Sequence, residues 1–403
     1  MSTPAPITRA ASADEIIALV NEISQPLAAE RAPLEAALDR VLREAVCAPE
    51  DQPPFDRSAV DGFAMRLDDA GSEFRIVDEI RAGDWKPREL QRGETIRIST
   101  GGALPGGHLQ VVMKEDVQVN GDQVRITQRN KSGNIRFRGE AARAGQVLVE
   151  SGATLQPGTL ALLASVGHAQ PLVTRVPRVL HLATGNEIVP PEQTPQGGQI
   201  RDSNSILIRS FLAHWKIVPE QIRVPEDEAA AQSAIANRQS AMDLLLVSGG
   251  ASVGEHDFTR RLLEHFGFEI IVSKTTTRPG KPLIVARREN QIAFGLPGNP
   301  LAHFVCLNVF VRVALERFSG HGNISPFQTG TLAAKLDSDH NARETFWPAR
   351  FDLQHGRAQL MPLRWSSSGD LTSLATANAL IRVKAGGEDL AAGAEVEFVP
   401  TDF

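Results

Sequence analysis

At 403 residues the chain is too long for one ordinary hydrophobic core, so several domains are expected. A formal net charge of −6 without any Lys/Arg-rich run argues against a general nucleic-acid binder and leaves small-molecule chemistry. Cys47 and Cys306 lie far apart with no metal or redox spacing, which points to a reduced compartment without a disulfide framework.

The N-terminus carries no apolar core for export. The most apolar helix, Leu301 to Leu315, is interrupted by His303, Asn308 and Arg312, so no membrane partner and a cytoplasmic location are expected. Ser12 followed by Glu15 fits a capping box, and Ile16, Ile17 and Val20 then form a helical stripe. Leu34, Leu38, Val41 and Leu42 repeat that spacing and predict a second helix. Both stripes read as packing surfaces. From Asp51 the chain reads DQPPFDRSAVDGFAMR, where two prolines forbid a central strand or helix and place Asp56 and Asp61 on an ordered loop. Asp beside Gly is also ordinary turn chemistry. Short β-like runs, Arg97 to Thr100 and Val111 to Lys114, surround the turn STGGALPGG, and NIRFRGEAA follows from Asn134. These predict a small, mostly β inserted domain. Ala144 to Val176 returns to helix and turn, with Leu160, Leu163 and Val166 marking the apolar face.

A strand at Arg178 to Ala183 leads into the turn Thr184-Gly185-Asn186-Glu187. Asp202, Ser203 and Asn204 supply a helix start, Ile222 to Val224 another strand, and Asp227 opens an Ala-rich helix to Asn237. Leu244 to Asp257 reads LLLVSGGASVGEHD. Its apolar run without alternation fits a strand buried on both faces. Ser248, Gly249 and Gly250 then turn the chain, and adjacent glycines let backbone N–H groups approach an oxyanion. Phe258, Leu262 and Phe266 mark the following helix, with Glu255 and Asp257 in its first turn. Such a strand, turn and helix start form a ligand site at the carboxyl end of a sheet, or only a tight reversal. Two more glycine turns follow strands: TTTRPGKP, Thr275 to Pro282, after Ile270 to Ser273, and LPGNP, Leu296 to Pro300, after Gln291 to Gly295 and before a helix from Leu301 to Phe318. The three would gather on one edge. Strands alternating with helices predict a three-layer α/β domain with a mainly parallel sheet. After Gly320, β-like pieces at Phe346 to Phe351 and Glu395 to Val399 predict a small C-terminal β domain.

PPFDRSAVDGFAMR, STGGALP, NIRFRGE, ATGNEI, GGQIRDSN, SGGASVGEHD, RPGKP and LPGNP occur in one order along the chain. In that order the chain resembles, nearly end to end, the molybdopterin molybdenumtransferase family, whose domain type also forms the C-terminus of gephyrin. The resemblance implies four parts: a helical linker and dimerisation domain (1–48 and 144–177), an inserted mostly-β domain (49–143), an α/β molybdopterin-binding domain (178–320) and a C-terminal β domain (328–403). It implies a homodimer with its site between the α/β domain of one subunit and the inserted domain of the other. The implied reaction takes adenylylated molybdopterin and molybdate, with Mg2+, to molybdenum cofactor and AMP.

Carried onto this sequence, the catalytic candidates are Asp61, Glu187, Asp227 and Asp257, with Asp61, Glu187 and Asp257 as magnesium ligands. The substrate-binding candidates are Thr100, Thr184, Gly185, Ser248, Gly249, Gly250, Ser252, Glu255, Lys274, Arg278, Lys281, Pro297, Gly298, Asn299 and Pro300. Two anionic substrates call for N–H groups, hydroxyls and cations, and magnesium for hard oxygen ligands. For each acid the alternative is a helix cap or a solvated turn. Asn186 stands where the family motif has Asp, Ala141 where an acid is usual, and Arg278 where Lys is usual. A planar guanidinium replaces a point charge there. A molybdopterin adenylyltransferase and a non-catalytic molybdopterin carrier or scaffold are the alternative functions. Transient contacts with the adenylyltransferase or with recipient molybdoenzymes are the further partners considered.

Overall fold

A computed structural model describes residues 6–129, 133–236, 238, 242–249 and 255–401, with the backbone alone described at 255–257. The chain forms two compact units, Met1–Glu30 with Val173–Phe403, and Arg31–Leu172.

Helix α1, Ala13–Ile23, starts at the expected capping box: Glu15 N donates to Ser12 Oγ and Ser12 N to the Glu15 carboxylate. Its buried Ile16, Ile17 and Val20 join the core that contains Phe310, Leu315 and Phe318. The N-terminal stripe is thus met by the core of the unit that contains Val173–Phe403.

The Arg31–Leu172 unit is built on a six-stranded mixed sheet: β1 Gly62–Arg66, β2 Glu73–Ile80, β3 Glu94–Ile98, β4 Leu109–Met113, β5 Val117–Asn120 and β6 Gln123–Ile126, in the order β4-β1-β3-β2-β6-β5. β1 is buried on both sides, with Ala64 in one core cluster and Phe63 and Met65 in another. The helix expected over Leu34 to Leu42 is a single 3-10 turn, Leu34–Ala36. Asp39 takes φ 65, which breaks a right-handed helix, and the next residues pair instead: Val41 bridges Thr154 and Leu42 N donates to Ala153 O at 2.9 Å. Helix α2, Pro157–Ser165, is the one helical stretch between Ala144 and Val176, and Leu163 alone in it is buried.

The second part of the other unit alternates strand and helix. β7 Val179–Thr184, α3 Asn204–Ala213, β8 Glu220–Val224, α4 Glu228–Ala236, β9 Leu244–Ser248 and α5 Glu255–His265 are followed by β10 Glu269–Val272, β11 Thr277–Arg278, β12 Ile284–Arg288 and β13 Gln291–Leu296. The sheet runs β8-β7-β9-β13-β12-β10. Its first three pairings are parallel and its last two antiparallel, so the sheet is mainly parallel, as the sequence reading expects, and is mixed through β12 alone, which runs against the rest. The reason is local: β12 and β13 are joined through Glu289 at φ 53, a hairpin, and hairpins join only antiparallel strands. Leu244 and Leu246 enter the core shared with α1 and α3, while Leu245 and Val247 enter the core shared with α4 and α5. That double burial explains the run without alternation. A long helical segment then follows as α6 Pro300–Cys306, a π turn Leu307–Val311 and α7 Arg312–Ser319, ended by Gly320 at φ 102.

The last strands are β14 Gln328–Leu332, β15 Glu344–Gln354, β16 Arg357–Pro362, β17 Ala379–Val383 and β18 Glu395–Pro400. They pair as β15-β16-β14-β18-β17, and β17 pairs back onto β15. β15 closes the ring because its 345–349 segment faces β17 and its 349–354 segment faces β16. Closure leaves no open edge among these five strands. Among the described residues, no helix is long and apolar enough to cross a membrane.

Candidate functional site

The chain passes from β7 to β8 on one side and then to β9 on the other, so the sheet order reverses at β7/β9. In open α/β sheets ligands bind outside the carboxyl ends of the strands at such a point. Register places the turns there: Ala183 pairs Ser248, Ser248 pairs Leu296, and Gly295 pairs Ile284. β10 runs parallel in direction to β13 and ends with Val272 opposite Val285. The three glycine turns therefore gather on one edge.

At the first turn Gly249 has φ 116, and a Cβ there would lie 2.1 Å from Thr184 O. Glycine is required because the turn presses on the end of β7. Beneath it, Thr184 Oγ1 donates to Ser248 O at 3.2 Å, and Ser248 Oγ lies 2.6 Å from His181 Nε2. Gln221 Nε2 donates to His181 Nδ1 at 3.0 Å, so His181 donates through Nε2. Burial holds the His181 imidazole neutral, with its pKa pushed down to about 3. Both hydroxyls, Thr184 and Ser248, are buried and engaged with protein. Gly250 and Ser252 lie outside the described residues, and the side chains of Glu255 and Asp257 do as well.

Gly185, at φ 148, lies under the Glu187 carboxylate, whose Oε2 would be 2.8 Å from a Cβ. Glu187 is exposed at this edge. Asn186 Oδ1 accepts from Glu226 N at 3.3 Å. Asp227 caps α4: its Oδ1 accepts from Ala230 N at 2.8 Å. That is the helix-cap alternative realised in geometry.

The LPGNP turn is fastened from several sides. Asn204 Nδ2 donates to Gly298 O at 2.7 Å, and His303 Nδ1, fully buried, donates to Pro297 O at 3.0 Å. Burial pushes the His303 pKa down to about 4. Asn299 Nδ2 donates to Ser368 Oγ at 2.8 Å, and Leu301 N donates to Ser368 O at 3.0 Å. Pro300 opens α6. The free N–H at this helix start is thus taken by protein.

The RPGKP turn is different. β11 pairs with β15, Thr277 opposite Glu344 and Arg278 opposite Thr345, which draws the turn to the C-terminal strands. Between them lies a cleft of about 250 Å³ whose lining includes Arg278, Lys281, Asn299, Arg343, Trp365 and Ser368. Arg278 stacks over Trp365 at 4.9 Å and pairs with Asp339. Arg343 Nη1 donates to Thr277 O at 3.4 Å. Lys274 and Lys281 are exposed. Gly280, at φ 118, covers the buried Cys306, with 3.1 Å from a Cβ to Sγ. Arg343, Trp365 and Ser368 were absent from the sequence reading. Only the run WSSSGD hints at hydroxyls there, and nothing local ties it to RPGKP.

Asp61 belongs to the Arg31–Leu172 unit. Its Oδ1 accepts from Thr100 N at 2.8 Å and Thr100 Oγ1 at 2.9 Å, and its Oδ2 lies 3.2 Å from Lys114 Nζ. Those donors, the Thr100 N–H first, hold its pKa down at about 2. Lys114 was missed as a partner because its spacing from Asp61 carries no pattern. No group of three His, Cys, Asp or Glu side chains able to hold a metal ion occurs among the described residues.

Three family descriptions match in succession: MoeA N-terminal region (domain I and II) over residues 11–167, probable molybdopterin binding domain over 181–317, and MoeA C-terminal region (domain IV) over 329–401. A molybdopterin molybdenumtransferase of Staphylococcus aureus is 30% identical over 380 residues, 92% of this chain and 90% of that protein. One of Staphylococcus epidermidis is 29% identical over 381 residues, again 92% and 90%. The crystal structure of a molybdopterin biosynthesis moeA protein from Pyrococcus horikosii superposes with a TM-score of 0.80 at 28% identity, covering 98% of this chain and 100% of that one. With its motifs in order and its relatives matched over nearly their whole length, this chain belongs to the molybdopterin molybdenumtransferase family.

Proposed function

We propose that the chain inserts molybdenum from molybdate into adenylylated molybdopterin with magnesium-dependent release of AMP. Membership of the family makes it an enzyme of molybdenum cofactor biosynthesis. The observation that carries the finer reading is the cleft at the carboxyl edge of the sheet, where Arg278, Lys281 and Arg343 meet around serine hydroxyls. No Asp or Glu is in its lining. Such a lining suits a small dianion such as molybdate, since guanidinium and ammonium groups give it charge-assisted donors.

In this reading Lys281 and Arg343 hold the oxyanion, and the pterin phosphate lies toward Gly185 and Gly249. Asp61, with its pKa near 2, stays ionised at neutral pH. It therefore serves as a fixed anion and not as a proton donor.

Magnesium needs hard oxygen ligands and keeps several waters when it arrives with phosphates. The described residues fit only that second situation: Glu187 offers an exposed carboxylate, while both Asp61 oxygens already meet donors and no three-residue cluster exists. When bound, the metal would supply charge neutralisation at the phosphates.

Incubating the protein with adenylylated molybdopterin, molybdate and magnesium should release AMP, and chelation or omission of molybdate should stop it. ATP consumption with molybdopterin would favour the adenylyltransferase, and neither reaction the carrier. Asp61→Asn should abolish AMP release while melting as the wild type does; near-normal release would remove Asp61 from the site. We further propose a homodimer, and light scattering that shows a monomer at working concentration would overturn it.

A further inference from the structure

The structure surrounds Arg278 with two side chains that the reaction as described leaves without a role. Arg278 stacks over Trp365 at 4.9 Å. Trp365 is itself set edge-on to Trp347 at 5.7 Å and 87°, and Trp347 Nε1 donates to Leu363 O at 2.7 Å. The stacking platform is therefore anchored in the barrel.

On its other side the guanidinium pairs with Asp339. The carboxylate is 43% exposed and the guanidinium side chain 25%, and Arg278 lines the cleft. The loop that carries Asp339 is pinned on its near side: Ser338 N donates to Asp389 Oδ1 at 2.9 Å and Ser338 Oγ to Gly387 O at 2.6 Å. Asp339 is thus held against Arg278 and is not a freely swinging side chain.

We propose that Asp339 is a positioning residue that acts as an internal competitor for the cleft: its carboxylate holds the Arg278 fork against Trp365 until an oxyanion displaces it. This rests on the reading that the cleft takes an oxyanion. A lysine at this position could shed a carboxylate by rotating its point charge. A planar fork held on an aromatic face must exchange one acceptor for another in place. A dianion outcompetes the carboxylate, whereas a monoanion gains little from the exchange. Asp339 accordingly raises selectivity for dianionic oxyanions while lowering their affinity.

The test is calorimetric titration of the full-length protein with sodium molybdate, and with sodium nitrate as a monoanion of similar oxygen chemistry. Asp339→Asn should tighten molybdate binding about fivefold, the scale of releasing a partly exposed ion pair, and should tighten nitrate at least as much. Asp339→Glu should stay at the wild-type value. In an Arg278→Gln background the effect of Asp339→Asn should fall below about twofold, because the competitor has lost its target. Gains of this kind cannot come from loss of structure, and melting curves of each variant confirm the fold.

Molybdate binding that is equal in wild type and Asp339→Asn overturns the competitor. So does a gain that persists undiminished with Arg278→Gln, which would make Asp339 a general repulsive charge. Failure of molybdate to bind any variant, with Lys281→Gln indistinguishable from wild type, instead overturns the oxyanion reading of the cleft and the competitor with it.

Discussion

The Ser248-Gly249 turn and the Thr275 to Pro282 turn follow strands of one sheet and end at the same edge, yet they meet different neighbours. At the first, Gly249 presses on Thr184 O, and the hydroxyls beneath it are bonded to His181 and to backbone. The second is open: it is drawn to β15 and borders a cleft with Arg278, Lys281 and Arg343. A glycine after a strand therefore marks a turn but does not say whether protein or ligand fills it. Among the described residues, the end of β7 stands against Gly249 and a separate β domain stands across from the second turn.

The comparison breaks most sharply at the glycines. Gly249→Val should cost on the order of 3 kcal/mol or more, because a β-branched residue is forced to positive φ and its Cβ overlaps backbone that cannot retreat. Gly280→Ala should cost about 1–2 kcal/mol, since its nearest neighbours are the side-chain atoms of Cys306 and Thr277 at 3.1 and 3.2 Å. Thermal unfolding of the two variants checks this, and equal losses would erase the distinction between the two turns.

Acid sharpens the contrast. His181 and His303 lie below the edge with pKa values pushed down to about 3 and about 4 by burial. Their folded pKa values lie below the unfolded value of about 6.5, so the unfolded chain takes up the protons first. Stability is fully present above that value and is lost as pH falls from about 6.5 toward 4. The loss between about pH 7 and about pH 5 should be on the order of 2 kcal/mol per histidine. Neither histidine lines the cleft, so anion binding by the folded fraction should not follow this transition. A melting temperature that stays flat between pH 7 and 5, or one whose slope survives His181→Gln, would contradict the account.

The smallest effect separates a cap from a catalyst. Asp227→Ala should destabilise by about 1 kcal/mol through the lost cap, and Asp227→Asn, which caps equally well, by much less. Turnover by Asp227→Asn at the wild-type rate would leave Asp227 a cap alone, whereas a large loss with unchanged melting would assign its carboxylate to the chemistry.

Local chemistry in the sequence was enough for the capping box at Ser12, the doubly buried strand Leu244–Ser248 and the order of strands and helices around it, because burial periodicity and cap residues act within a few positions. It was also enough for the three turns to be placed at strand ends. It was not enough for the expected helix at Leu34 to Leu42, whose buried Val41 and Leu42 instead lie beside 153–155, to which the backbone here pairs. Nor did it place α1 in the core of the α/β unit, or reveal the hairpin that makes the sheet mixed. The partners of the candidate site lay furthest out of reach: Arg278 meets an Asp 61 positions away and Trp365, and Asp61 meets Lys114 across 53 positions. Such pairs have no period. They exist because β11 is captured by β15 and because β1 lies between β3 and β4, and only tertiary pairing brings those charges within hydrogen-bond range.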